Sequence, residues 1–215
     1  MARLRVAVFA SGGGSNLKAL IDAVAAGRLH ADIVLVVSNK AEAGALQIAR
    51  DHGIPARHLA REQFESDEAF NAALLDALRQ HDVNFVALAG YLKKIDAGVV
   101  RAFKHRMLNI HPALLPSFGG KGMYGLNVHK AVLEYGCKVS GVTVHLVDEE
   151  YDSGPPVLQR CVPVEDDDTP ETLAKRVLAV EHQVYAEALQ LFAQNRVEVR
   201  GRKVVIKPAS QEERT

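Results

Sequence analysis

The chain has 215 residues, of which 48% are hydrophobic and 24% charged, ordinary values for a globular protein with a substantial core. Its 26 Lys and Arg residues balance its 26 Asp and Glu residues. Such a neutral chain lacks the basic surface that extended nucleic acid or an anionic membrane requires, so we expect neither as a partner. The length fits one large domain, which we place at residues 1–207, followed by a polar, disordered tail over 208–215.

The N-terminus and the two cysteines predict a cytoplasmic protein. The apolar run that follows Arg5 is broken by glycines after Ser11, so it is too short for a secretory signal or a membrane span. Cys137 and Cys161 lack the spacing of a redox or metal motif, and we expect both to be reduced. The histidines lack metal-ligand spacing as well, so no metal site is predicted.

Strand-like apolar runs alternate with helical periodicity through the first half of the chain. Ser66 before Asp67 is typical of a helix N-cap, and Gly53 followed by Pro55 is typical of a helix exit. The predicted strands cover 4–10, 33–37, 83–89 and 107–110, and the predicted helices begin near 17, 42 and 67. This alternation predicts an α/β fold, with a doubly wound, mostly parallel sheet, helices on both faces and a Rossmann-like N-terminal half.

The second half of the chain changes character. A helix over about 126–134 precedes a strictly alternating strand over 139–147, which we expect to pair antiparallel with a strand over 157–164. Thr169 and Pro170 predict the start of a long helix that ends near 194. A small hairpin follows, with strands over 197–200 and 203–206.

The first candidate site is the loop between the first strand and the first helix, Ser11-Gly12-Gly13-Gly14-Ser15-Asn16. Glycines let the backbone approach a ligand closely, and a helix N-terminus offers free N–H groups and a positive dipole end, so a phosphate monoester is a natural occupant. The alternative is a tight turn with Ser15 as the helix cap. The loop fits neither the dinucleotide fingerprint nor the Walker pattern, which favours a small phosphorylated ligand.

The second candidate site lies where the strand over 107–110 ends. Asn109 and His111 are two residues apart, so on a strand they project from the same face, and Pro112 ends the strand. Open α/β sheets place their ligand crevice at such strand ends. An amide and an imidazole there could hydrogen-bond an oxygen that gains charge during a reaction. The alternative is a histidine that is satisfied within a turn.

The third candidate site is the acidic turn after the alternating strand. Asp152 precedes the sharp bend of Ser153 and Gly154, and a carboxylate fixed there could accept a proton from an amine or orient His111. The turn lacks the spacing of a calcium loop. Thr143 and His145 share a face of the preceding strand and are candidates to line the same crevice.

Six short motifs occur in a fixed order over about residues 4–206: Ser-Gly-x-Gly-Ser-Asn at 11–16, Ser-Asn-Lys at 38–40, Leu-Ala-Gly-aromatic at 88–91, Leu-Asn-Ile-His-Pro-x-Leu-Leu-Pro at 108–116, Asp-x-Gly-Pro at 152–155 and Glu-His-x-x-Tyr at 181–185. In this order they resemble the motifs of the folate-dependent formyltransferases, and among them the glycinamide ribonucleotide transformylases. The resemblance implies transfer of the formyl group of 10-formyltetrahydrofolate to the amine of glycinamide ribonucleotide, in purine (IMP) synthesis. It implies small-molecule substrates, no metal, and a monomer or a homodimer.

The resemblance also implies roles for individual residues. Asn109, His111 and Asp152 would form the catalytic trio, and Asn109 and Asp152 would also contact the folate. Glu181 would bind the ribose hydroxyls. The nucleotide phosphate would be held by Gly12, Gly13, Gly14, Ser15 and Asn16, and the pterin pocket would be bordered by Tyr91, Leu92, Lys93 and Ile95.

The chain departs from the family pattern at several positions. Lys94 stands where relatives often have an apolar residue, Asp67 where some have a basic one, and Ala186 where the pattern has proline. The segment over 118–127 is longer and richer in glycine than the common form, which is typical of a mobile lid beside a catalytic histidine.

Three alternatives share this chemistry or fold. Methionyl-tRNA formyltransferase usually has a further C-terminal domain for tRNA, and formyltetrahydrofolate hydrolase usually has an N-terminal regulatory domain. We expect neither domain here, because the core starts at about Leu4 and the chain ends soon after it. A non-catalytic nucleotide-binding domain would be expected to lack one of the trio, and Asn109, His111 and Asp152 are all present.

Overall fold

The structure is a computed structural model that describes residues 3–209. Within them, the main sheet has seven strands in the order β3-β2-β1-β4-β5-β6-β7. The first five strands are parallel and the last two pair antiparallel. Their bounds are β1 Leu4–Phe9, β2 Ala31–Ser38, β3 Ala56–His58, β4 Phe85–Leu88, β5 Met107–His111, β6 Val139–Leu146 and β7 Pro156–Pro163.

Six α-helices cover the sheet in this part of the chain: α1 Ser15–Ala25, α2 Gly44–Asp51, α3 Asp67–Gln80, α4 Ala97–Ala102, α5 Leu126–Glu134 and α6 Pro170–Ala193. A two-stranded hairpin, β8 Val197–Arg200 and β9 Lys203–Ile206, follows α6. None of the helices in residues 3–209 combines the length and the apolar character that crossing a bilayer requires. Of the predicted tail, Pro208 and Ala209 have no regular structure, and 210–215 lie outside the described residues.

Alternate residues of β1 pack into two separate cores, one on each face of the sheet. Val6 and Val8 belong to the core that α1, α2, α5 and α6 cover. Ala7 and Phe9 belong to the core that α3 and α4 cover. Because a strand buried on both faces must be apolar throughout, β1 has a continuous hydrophobic run and not an alternating pattern. The predicted doubly wound α/β fold is confirmed.

Most predicted elements are present within a few residues of their expected bounds. Ser66 caps α3 by accepting a hydrogen bond from the Ala69 amide, and Thr169 caps α6 in the same way. The short elements β3 and α4 were not predicted, nor was the turn of 3₁₀ helix at Arg61–Gln63. Three to six residues are too few to show a hydrophobic period, although Asp96, which caps α4 through the Gly98 amide, is a recognisable start signal.

Helix α6 is fastened to the sheet by Tyr185, which is fully buried. Its hydroxyl lies 2.9 Å from the carbonyl oxygen of Leu88 in β4 and 3.2 Å from that of Leu108 in β5, and it can donate to either. Burial raises the pKa of Tyr185 well above its usual value, so the phenol keeps its proton. Glu181, one helical turn earlier, is thereby fixed above the carboxyl ends of the central strands.

Tyr185→Phe should lower the free energy of unfolding by roughly 1–2 kcal/mol, because a buried hydrogen bond is lost without a replacement. Tyr135→Phe is a matched control, since Tyr135 is 82% exposed and should change stability by less than about 0.5 kcal/mol. Urea unfolding of both variants measures the difference. Equal stability of the two variants would contradict the proposed fastening role of Tyr185.

Candidate active site

A cavity of about 730 Å³ lies at the carboxyl ends of the central strands. Its lining includes the segments that directly follow β1 and β4. The order of the sheet reverses between these two strands, and open α/β folds bind their ligands there. All but one of the site residues predicted from the sequence lie on its walls: Gly12, Gly13, Gly14, Ser15, Asn16, Tyr91, Leu92, Lys93, Ile95, Asn109, His111, His145, Asp152 and Glu181.

Thr143 is the exception, and the expectation that it lines the crevice is wrong. Its side chain is completely buried under the turn that follows β5. The hydroxyl donates to the Ala113 carbonyl (2.7 Å) and accepts from the Leu115 amide (3.0 Å). Thr143 therefore supports the turn after His111 and does not face the cavity.

The glycine loop before α1 is shaped by close packing on α2. Gly14 has a φ of 83°, and a Cβ at this position would lie 2.8 Å from the Cα of Ala45, so only glycine fits. Gly14 is also the N-cap of α1, and no side chain caps the helix. The alternative in which Ser15 is the cap therefore does not hold. The uncapped first turn of α1 presents its N–H groups at the cavity wall, as an anion site requires.

Asn16 and Glu181 connect this loop to α6. The Asn16 amide nitrogen donates to Glu181 Oε2 at 2.7 Å, and Glu181 is only 7% exposed. Burial raises the pKa of Glu181, and the hydrogen bond from Asn16 offsets part of that effect. The side-chain oxygen of Asn16, Oδ1, is buried without a hydrogen-bond partner. These two side chains are thus a polar pair held in place beside the loop, with unused hydrogen-bonding capacity.

His111 and Asp152 face each other within the cavity wall. His111 Nδ1 lies 3.6 Å from Asp152 Oδ2, and His111 is only 3% exposed. His111 Nε2 is 2.8 Å from the Phe118 carbonyl, which can only accept, so this nitrogen carries a proton. In the neutral ring, Nδ1 therefore directs a lone pair at the carboxylate. A proton on Nδ1 would make the two groups an ion pair.

Asn109 is held from two sides. The Asn109 amide nitrogen lies 3.1 Å from His145 Nε2 and 3.4 Å from Asp152 Oδ1. His145 Nδ1 donates to the Leu146 carbonyl, so in the neutral ring Nε2 accepts from Asn109. Both amide hydrogens of Asn109 are therefore engaged within the protein.

Asp152 owes its position to an unusual turn. Its φ is 52°, and a Cβ on Gly154 would lie 1.7 Å from the Leu146 carbonyl oxygen, so the turn closes only with glycine there. The Gly120 amide donates to Asp152 Oδ2 at 2.8 Å. Burial would raise the pKa of Asp152, but His145, His111 and the Gly120 amide outweigh it, so the pKa lies below its usual range.

The pKa of His111 is lowered, chiefly because the ring is buried. The Asp152 carboxylate and the Phe118 carbonyl oppose this effect, and His145 adds to it. Near neutral pH the site therefore combines an ionised Asp152 with a neutral His111. Such a pair can take up one proton and share it.

The arrangement differs from the expected one in one respect. The sequence predicts that Asn109 and His111 hydrogen-bond a reacting oxygen, but Phe118 holds His111, and His145 and Asp152 hold Asn109. The Phe118 and Gly120 contacts are made by backbone atoms, which leave no signal in the sequence. Movement of the segment over 118–120 would free His111 Nε2 and Asp152 Oδ2 for other hydrogen bonds.

The wall next to the glycine loop is formed by the segment over 91–95. Ser11 fixes its position, because the Ser11 hydroxyl donates to Asn39 and accepts from the Leu92 amide at 2.9 Å. Tyr91 packs edge-on against Phe9, with ring centroids 5.4 Å apart. Burial, together with the charge of Glu62, raises the pKa of Tyr91 to about 12.

Lys94 and Asp67, the two charged residues that depart from the family pattern, both form ion pairs near the segment over 91–95. Lys94 lies 3.3 Å from Glu150, and Asp67 pairs with Arg61. Both pairs are at the surface, so each contributes little to stability. They border a second cavity of about 510 Å³ that adjoins the first.

In residues 3–209, no three His, Cys, Asp or Glu side chains are grouped as metal ligands, and the absence of a metal stays a prediction.

The fold and the cavity are those of an α/β enzyme whose ligands bind at the topological switch point of the sheet. A family model described as formyl transferase matches residues 4–189. The chain therefore belongs to the formyl transferase family.

Individual proteins are similar over most of the chain. It is 48% identical over 195 residues to the chloroplastic phosphoribosylglycinamide formyltransferase of Vigna unguiculata, covering 91% of this chain and 62% of that protein. The crystal structure of glycinamide ribonucleotide transformylase 1 from Symbiobacterium toebii matches with a TM-score of 0.90 and 42% identity, covering 96% of this chain and 95% of that one. A formyltetrahydrofolate deformylase from Pseudomonas syringae matches with a TM-score of 0.86 and 28% identity, covering 96% and 67%. The chain thus spans less than two thirds of the length of the Vigna relative.

The buried Glu181 predicts a pH-dependent stability. Because its folded-state pKa is raised, its contribution is fully present below the unfolded-state pKa and is lost as the pH rises through the folded-state value. Glu181→Gln keeps an acceptor for Asn16 and cannot ionise. The variant should therefore gain free energy of unfolding relative to the wild type as the pH rises from 4 to 8, measured by urea unfolding. Parallel stability curves would contradict a raised pKa.

Proposed function

We propose that the chain transfers the formyl group of 10-formyltetrahydrofolate to the amine of glycinamide ribonucleotide in purine (IMP) biosynthesis. The observation that carries the proposal is one cavity that has an uncapped helix N-terminus on one wall and the buried Asn109–His111–Asp152 group on another. The names of the Vigna and Symbiobacterium relatives support this choice of substrate.

The ribonucleotide fits the side of the cavity next to α1 and α6. The N–H groups of the loop over 12–16 would hold the phosphate at the positive end of the α1 dipole. Glu181 would accept hydrogen bonds from the ribose hydroxyls, and the unpartnered side-chain oxygen of Asn16, Oδ1, offers a further acceptor. A bound hydroxyl would thus give the Asn16 side-chain oxygen, Oδ1, a hydrogen-bond partner.

The folate fits the side formed by the segments over 91–95 and 147–152. Here the cavity wall is apolar at Leu92 and Ile95, as a pterin ring and its attached benzoyl group require. Leu92 is 41% exposed, and covering it would remove apolar surface from water. Bound there, 10-formyltetrahydrofolate supplies the one-carbon group next to Asn109 and Asp152.

In the proposed reaction, the protein orients the two substrates, stabilises a developing charge and moves a proton. The attack of the amine on the formyl carbon places negative charge on the formyl oxygen, which the Asn109 amide and the His111 N–H would stabilise. The segment over 118–120 must first release His111 and Asp152, and Asn109 must give up a contact with His145 or Asp152. Asp152, ionised because its pKa is lowered, would take the amine proton directly or through a water, and would stabilise His111 in its protonated form. Collapse of the tetrahedral intermediate would then break the bond between the formyl carbon and N10 of the folate. The proton taken from the amine would pass to N10, and tetrahydrofolate would leave.

Asp152→Asn should reduce kcat by roughly 10²-fold or more, because the carboxylate that accepts the proton is lost while the shape of the site is kept. His111→Ala should have an effect of similar size, through loss of an oxyanion donor. Steady-state kinetics with both substrates, together with calorimetric binding of glycinamide ribonucleotide, measures this. Wild-type turnover in either variant would remove that residue from the mechanism.

Glu181→Ala should raise the KM for glycinamide ribonucleotide by roughly tenfold and leave the KM for the folate unchanged, because only the ribose loses hydrogen bonds. The comparison is made at saturating concentrations of the other substrate. An effect confined to the folate would contradict the ribose role.

The decisive assay follows the conversion of 10-formyltetrahydrofolate with and without glycinamide ribonucleotide. Consumption that requires the ribonucleotide and yields a formylated product would establish the transferase. Release of formate without the ribonucleotide would favour hydrolysis, in line with the likeness to the Pseudomonas deformylase. No turnover would favour a non-catalytic nucleotide-binding domain.

A further inference from the structure

We propose that Lys121 is the cation that neutralises the phosphate of the ribonucleotide at the N-terminus of α1. The inference rests on the proposed function, because it names a further residue in the binding of that substrate. Lys121 lies in the glycine-rich segment over 120–125, which lines the same cavity as the phosphate loop.

The phosphate loop cannot neutralise its proposed ligand by itself. A phosphate monoester carries a charge of about −1.5 to −2 at pH 7, whereas a helix N-terminus offers about +0.5. The loop over 11–16 contains only Ser, Gly and Asn. The first basic residue of α1, Lys18, is paired with Asp22. On the α6 side, the cavity is lined by Ala174, Leu178 and Glu181, none of which is basic.

The lysines on the cavity wall are Lys93, Lys94 and Lys121. Lys94 is paired with Glu150 at 3.3 Å. Lys93 and Lys94 also line the adjoining second cavity, on the side that we assign to the folate. Lys121 lines the main cavity and, within residues 3–209, has neither an ion pair nor a hydrogen bond. Of these three lysines, Lys121 is therefore the one that has no ion pair and does not line the side assigned to the folate.

His129 also lines the cavity, but it is poorly suited to this role. Burial, together with the neighbouring His111, lowers its pKa, so the ring is neutral at physiological pH. It can exchange hydrogen bonds with a ligand but cannot balance a dianion. The choice therefore falls on Lys121.

The segment over 120–125 is held at both of its ends by contacts with the rest of the site. At its start, Gly120 donates to Asp152 Oδ2 at 2.8 Å. At its end, α5 packs against α6, and α6 carries Glu181, the partner of Asn16 in the phosphate loop. Lys121, which directly follows Gly120, therefore belongs to the stretch of chain that connects the Asp152 contact to α5, and it lines the cavity that the phosphate loop also lines.

The residues on both sides of Lys121 are glycines, and the backbone conformation requires them there, whereas close packing does not. Gly120 and Gly122 have φ values of 96° and 89°, which L-residues rarely adopt. A Cβ at either position would meet no atom within 4 Å. The glycines therefore set the course of the chain on both sides of Lys121, whose side chain is exposed.

The test compares the wild type with Lys121→Gln and Lys121→Arg. Binding of ribose 5-phosphate and of ribose is measured by calorimetry, and the KM is measured for glycinamide ribonucleotide and for its dephosphorylated riboside. Lys121→Gln should weaken ribose 5-phosphate binding and raise the ribonucleotide KM, each by roughly 10- to 100-fold, because a charge-assisted hydrogen bond is lost. Ribose binding and the riboside KM should not change, and Lys121→Arg should restore most of the affinity.

Two control variants locate the effect. Lys130→Gln removes an exposed charge from α5, outside the cavity. This variant should bind ribose 5-phosphate and ribose with the affinities of the wild type. Lys93→Gln should leave ribose 5-phosphate affinity unchanged. An unaltered ribose 5-phosphate affinity in Lys121→Gln, or an equal loss for phosphorylated and dephosphorylated ligands, would overturn the proposal.

The binding measurement also separates this proposal from the proposed function. If the wild type binds ribose 5-phosphate through Lys121 but does not formylate glycinamide ribonucleotide, the transferase assignment fails and the phosphate contact stands. If the wild type is an active transferase and Lys121→Gln has the wild-type KM, the phosphate contact fails and the transferase assignment stands.

Discussion

The carboxylate of Asp152 is the group on which the geometry of the site depends. A largely buried negative charge is costly unless hydrogen bonds and opposite charges surround it. Here Asn109 and His111 come from β5, His145 comes from β6, and the Gly120 amide comes from the glycine-rich segment. These groups come from β5, from β6 and from the segment that connects them, and they converge on two oxygen atoms. The turn that holds Asp152 closes only because Gly154 lets the backbone pass the end of β6.

Sheet topology explains why these groups meet. The parallel strands β1 to β5 alone provide a crevice with a helix N-terminus, as many nucleotide-binding folds do. The antiparallel pairing of β6 with β5 places His145 opposite Asn109 and brings the turn after β6 to the open end of β5. The group of Asn109, His111 and Asp152 therefore forms only where the antiparallel strands β6 and β7 extend the parallel part of the sheet. In the proposed function, substrate binding and proton transfer would be supplied by separate parts of one sheet.

The sequence predicts the parts of the site that depend on local pattern. Strand ends, helix caps and glycine turns have such patterns, which is why the loop before α1, the pair Asn109 and His111, and the turn at Asp152 all line the cavity as expected. Contacts that depend on tertiary packing were not predictable. Thr143 does not face the cavity because the turn after His111 covers it, which no local pattern indicates. The contact of the Phe118 carbonyl with His111 leaves no signal in the sequence, because backbone groups are present at every residue. The short elements β3 and α4 have too few residues for a period.

Ser11 joins the two sides of the cavity. Its amide donates to the Gly90 carbonyl and its hydroxyl accepts from the Leu92 amide, so the loop at α1 and the segment over 91–95 are held together by uncharged hydrogen bonds. Neutral hydrogen bonds have no proton to lose near physiological pH and are not screened by salt as surface ion pairs are. In the proposed reaction, the distance between the two reactants would thus be set by hydrogen bonds that change with neither pH nor ionic strength. The groups that do respond to pH and ionic strength would act only on the proton and the phosphate.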